Sequence, residues 1–113
     1  MTNQEGKIYK LEEEININIQ QLRQNKEHAR EETVKLLPDI IFAINQLLAI
    51  EKNDKIDINI PIDIILQQIK NLEEYIEKKD IVLLADTLEY EIRETILFYI
   101  DILKEIGEKT DVV

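Results

Sequence analysis

Between Asp80 and Tyr99 the chain places apolar residues on nearly every side of a helix, broken only by a few charges. Projected at about 100° per residue, one face holds Ile81, Leu84, Ala85, Leu88, Ile92, Ile96 and Tyr99, and continues to Leu103 and Ile106. Leu83, Tyr90 and Leu97 form a second row, seven residues apart, on nearly the opposite side. Val82 and Ile100 lie between the two. A helix with an apolar face too wide for one partner is enclosed by its own fold or shared with a second subunit. This is a packing and association signal rather than a catalytic one.

Only two Gly and two Pro occur in 113 residues, too little punctuation for the turns of an all-β fold. Hydrophobic residues at 44% and charged residues at 34% make a folded domain rather than a disordered chain. A single helical domain over residues 1–113 follows, ordered at about 8–107 with loose termini.

From Ile8 onward apolar residues recur every seven positions: Ile8, Ile15, Leu22, Ala29, Leu36, Ala43 and Ile50. A flanking row runs through Ile19, Lys26, Thr33, Ile40 and Leu47. Period seven argues for amphipathic helix packed nearly antiparallel against its partners. Pro38 lies inside this pattern, removes one backbone donor and clashes with the carbonyl of Val34. Because the phase continues through it, one long helix at about 8–50, kinked at Pro38, or two nearly collinear helices, is expected rather than a sharp reversal. Its second half, where apolar residues including Phe42 surround the axis, should be the buried one.

Asn53 and Asp54 mark a connection at 51–57. Ile56–Ile64 alternates Ile with other residues and reads by period as a strand, as does Ile15–Ile19. In the competing reading Asn59 caps a helix and Pro61 sits in its first turn, where a missing donor costs nothing. Pro argues against a central strand, so a helix at 60–78 is preferred, with 55–60 extended. Lys78-Lys79-Asp80 is the next joint, with Asp80 as an N-cap, and a last helix at 80–106 stops at Gly107. The expected fold is an all-α antiparallel bundle of three to four helices.

The net charge of −10 comes without a cluster of Lys and Arg, which excludes phosphate-backbone binding and disfavours anionic membranes. A basic protein segment remains an electrostatically suitable partner. No apolar run approaches a membrane span, and Met1–Lys7 lacks the features of a signal peptide, so a cytoplasmic protein is expected. Without Cys or Ser there is no disulfide, thiolate site or serine nucleophile. Gly6 and Gly107 stand alone, so no phosphate loop is present. His28, the single histidine, follows Glu27 directly, so neither Glu-x-x-His motif of a di-iron bundle occurs. These absences point to a non-enzymatic chain without metal or cofactor. Glu91 and Thr95 project toward the edge of the main face, either as a satisfied polar contact or as an acid–base group.

Asp86, Glu89 and Arg93 line one side of the last helix, with Glu89 and Arg93 one turn apart. Flanked by Leu83, Tyr90 and Leu97, they form the candidate contact surface for a homodimer or a protein partner.

The segment Asp80–Glu91, read as D-x-V-x-L-A-D-x-L-x-Y-E, resembles the C-terminal signature of an uncharacterised family of small acidic helical proteins from Firmicutes. The resemblance implies a helical fold and supplies no activity. Family members often continue with Pro after the Tyr-Glu pair, whereas Arg93-Glu94-Thr95 stands here. A looser similarity in size, charge and an acidic-apolar last helix connects the chain to flagellar export chaperones, which hold an unfolded substrate. The expected function is a non-enzymatic cytoplasmic module acting by self-association or partner binding. The alternatives are an export chaperone and a carboxylate-based metal or acid–base enzyme centred on Glu91.

Overall fold

The computed structural model describes residues 3–50 and 59–111. In order, these form α1 (Asn3–Arg23), α2 (Ala29–Ile50), α3 (Ile62–Lys78), α4 (Ile81–Thr87), a π-turn (Leu88–Ile92) and α5 (Arg93–Asp111). The fold is all-α, with no strand among the described residues. Ile15–Ile19 lies inside α1 and Ile62–Ile64 opens α3, so neither is a strand. The connection at 51–57 and most of the segment expected to be extended lie outside the described residues.

The long helix at 8–50 is the main correction. The chain stops at Arg23 and restarts at Ala29. Asn25 adopts the left-handed conformation at φ 55°. Its N–H bonds Leu22 O at 3.1 Å and the Lys26 N–H bonds Gln21 O at 2.9 Å, the paired bonds of a Schellman end. Asn tolerates this conformation better than most side chains, so no Gly was needed. Behind the turn, the buried Asn18 amide donates to Ala29 O at 3.0 Å and accepts from the buried Thr33 hydroxyl. Since Asn18 meets the start of α2, the two helices run in opposite directions. The seven-residue row is buried in both, through Ile8, Ile15 and Leu22 in α1 and Ala29, Leu36 and Ala43 in α2. Each helix turns its row inward, and the short connection happens to preserve the count. Pro38 lies within α2, which continues as helix on both sides of it.

Other boundaries moved too. α1 begins at Asn3, so residues 3–6 are helical rather than frayed. Gly107 does not stop the last helix, because it lacks the positive φ of a C-terminal cap and α5 runs to Asp111. The joint at Lys78-Lys79-Asp80 stands where expected. Lys79 takes φ 57°, its N–H reaches Ile76 O at 3.2 Å, and the Asp80 N–H reaches Tyr75 O at 3.1 Å. The Asp80 carboxylate then accepts from the Leu83 N–H at 3.1 Å, as an N-cap does. A left-handed Lys is strained by its Cβ. Lys79→Gly is therefore expected to stabilise the protein by about 1 kcal/mol, seen as a rise of roughly 4 °C in thermal midpoint. A fall would show that the cap does not need this conformation.

Side chains join the helices along their length. Arg30 of α2 reaches Ile76 O at the end of α3, at 3.4 Å. α1 lies beside α4 and α5 through Arg23 with Asp86, Asn16 with Arg93, and Tyr9 beneath Lys104. Between them Ile15, Ile40, Leu47, Leu72, Leu84, Leu88, Ile92, Ile96 and Tyr99 are buried. Phe42 departs from the buried second half of α2, being 59% exposed. By length and composition α2 could cross a membrane, contrary to the reading from uninterrupted apolar runs. In this fold its residues Thr33, Leu36, Ile40, Ala43, Ile44 and Leu47 are core.

Candidate functional site

Leu84, Leu88, Ile92, Ile96 and Ile100 repeat at a strict spacing of four, and all five are buried. In an α-helix each step of four overshoots a full turn by about 40°, so such a row spirals away from its partners. The π-turn takes up part of that drift. The Arg93 N–H reaches back five residues to Leu88 O, which widens one turn and holds the row toward α1 and α3. The over-wide face is thus partly a product of projecting the helix as a straight α-helix.

Leu88 and Ile92 anchor the π-turn inside, while Tyr90 between them is 65% exposed. Glu89 and Glu91 beside it are half-buried. The Glu89 carboxylate, as hydrogen-bond acceptor first and as a negative charge second, holds the Tyr90 phenol above its ordinary range.

The six residues of the expected contact surface differ in what they touch. Asp86 meets the Arg23 guanidinium at 2.7 Å and Glu89 lies 3.7 Å from it, so Glu89 is tied to α1 rather than to Arg93. The hydrogen bond to Asp86 is the main reason Arg23 holds its proton more tightly than usual. Arg93 turns toward α1 as well, its Nη1 donating to Asn16 Oδ1 at 3.4 Å. Its Nη2 is 3.8 Å from Glu94, and its Nε is buried without a partner. Leu97 is half-buried against the core. Leu83 and Tyr90 remain exposed. Arg23 escaped the sequence reading because its partner lies 63 residues away and nothing local announces it.

Beside the π-turn is an open groove of about 400 Å³ between the start of α3 and α5. Pro61, Ile65 and Gln68 line one wall, and Tyr90, Glu91, Glu94 and Phe98 line the other. Across its floor the Thr95 hydroxyl, 7% exposed, donates to Gln68 Oε1 at 2.8 Å. Thr95 therefore satisfies a contact between helices rather than serving Glu91, which stands on the groove wall. Phe98 and Gln68, which line the groove, carry no motif and were missed.

Among the described residues no group of three or more His, Cys, Asp or Glu is placed to hold a metal ion. His28 sits exposed in the α1–α2 connection at φ 67°, with Nε2 3.6 Å from Glu27. The arrangement can grip a side chain by stacking and charge. Compared with known proteins, the chain matches no family model, no curated protein and no solved structure.

Proposed function

We propose that this chain is a non-enzymatic helical module that binds a protein partner through the groove beside the π-turn, with Tyr90 as its anchor. One observation carries the reading. The last helix leaves α geometry at Leu88–Ile92, and there an aromatic side chain stands 65% exposed at a groove rim. π-turns are frequent at functional sites, and Tyr is enriched among interface hot spots. Glu91 and Glu94 on the wall, with the net charge of −10, favour a partner segment carrying Lys or Arg. The faces of Tyr90 and Phe98 suit the same cations.

The contact surface is accordingly redrawn around Tyr90, Glu91, Glu94 and Phe98, with Leu83 at its margin. Asp86, Glu89 and Arg93 act as struts to α1. In this reading the helices form an antiparallel bundle with α2 bent at Pro38, and the module works in the cytoplasm. The Asp80–Glu91 signature would be the element shared with the Firmicutes family it resembles.

A photo-cross-linking phenylalanine analogue at position 90, which keeps the aromatic ring there, expressed in the source organism, tests the proposal against the same analogue at Lys35, whose side chain is 74% exposed on α2. The expected result is a discrete protein adduct from position 90, absent from position 35 and weakened by Glu91→Gln with Glu94→Gln. The same adducts from both positions, or none from either, would refute it.

A further inference from the structure

We propose that the outer face of the α1–α2 hairpin is a two-fold interface with a second copy of this chain. A separate groove of about 290 Å³ runs between these helices, lined by Lys7, Lys10, Leu11 and Glu14 of α1 and by Asp39 and Phe42 of α2. It is distinct from the groove between α3 and α5 and does not depend on the reading of that site.

Three features select a second copy as the occupant. Phe42 is 59% exposed at the rim, while Leu11 on the floor is buried, so an aromatic ring and an apolar cleft lie side by side. Lys7, Lys10, Glu14 and Asp39 have no ion-pair partner among the described residues, so both signs of charge are unspent. The walls also differ, with both lysines on α1 and Asp39 and Phe42 on α2. A two-fold axis along the groove lays the α1 wall of each copy against the α2 wall of the other. Lys10 then faces the other copy's α2 wall with Asp39, and Phe42 lies against the other copy's α1 wall at the edge of its cleft. Each contact is made twice, as an isologous interface requires. A purely basic partner would leave the lysines opposed, and an acidic one would oppose Glu14 and Asp39.

Light scattering across a micromolar dilution series is the test, with far-UV circular dichroism confirming that each variant is folded. The wild type is expected to dissociate from dimer to monomer on dilution. Phe42→Ala should weaken the dimer by roughly tenfold or more. Lys10→Glu and Asp39→Lys should each weaken it alone, and the two combined in one chain should recover most of the lost affinity. All three positions are exposed, so folding is retained. A monomer at every concentration overturns the proposal. So does a dimer indifferent to Phe42→Ala and Lys10→Glu, or a double variant as weak as its parents.

Discussion

Leu88→Ala is expected to lower the unfolding free energy by about 3 kcal/mol, with a fall in thermal midpoint on the order of 10 °C. Leu88 is fully buried at the start of the π-turn, and its carbonyl receives the Arg93 N–H that defines the turn. Truncation removes its packing in the core and leaves a cavity that the widened backbone must support. Tyr90→Ala, two residues on and 65% exposed, should change stability by less than about 0.5 kcal/mol. Denaturant unfolding of both variants provides the check. A Leu88→Ala cost below about 1 kcal/mol would mean the turn is not anchored from within.

The second large effect concerns register. Deleting Phe98 from α5 turns Tyr99, Ile100 and Ile102 by about 100° relative to the residues before them. All three are buried, at 1%, 5% and 4% exposure. Their side chains would leave the core and polar neighbours would enter it, at a cost of more than about 4 kcal/mol. Thermal melting should lose its cooperative transition or shift it far down. A deletion mutant melting close to wild type would show that the core of α5 is not held in a unique register.

The reach of the sequence differs from element to element, for physical reasons. The main row of the last helix was legible because Leu84, Leu88, Ile92, Ile96 and Tyr99 follow a helical period, and all five are buried. Asp80 was legible as a cap because a short acceptor before an apolar run has one common use. The α1–α2 reversal was not, since Asn25 closes it without Gly and the seven-residue rhythm passes through unbroken. Pro38 drew attention instead, although the helix continues on both sides of it.

The π-turn left a sign that a straight-helix projection obscures. Five apolar residues at a strict spacing of four exceed what one face of an α-helix can hold. Glu91 and Thr95 were visible as unusual polar positions and Tyr90 as part of the second row, whereas Phe98, Gln68 and the tie from Arg23 depend on helices brought together from distant parts of the chain.

Deletion of Tyr90 tests most directly whether the π-turn separates packing from partner contact. Removing one residue from a five-residue backbone step restores an ordinary α-turn and keeps Leu88 and Ile92 close to their places. Thermal melting of this variant would be measured beside partner cross-linking from position 98 across the groove. A cooperative melt within about 1 kcal/mol of wild type and loss of the cross-linked adduct are expected. Unfolding comparable to the Phe98 deletion, or an adduct that persists without the turn, would contradict it.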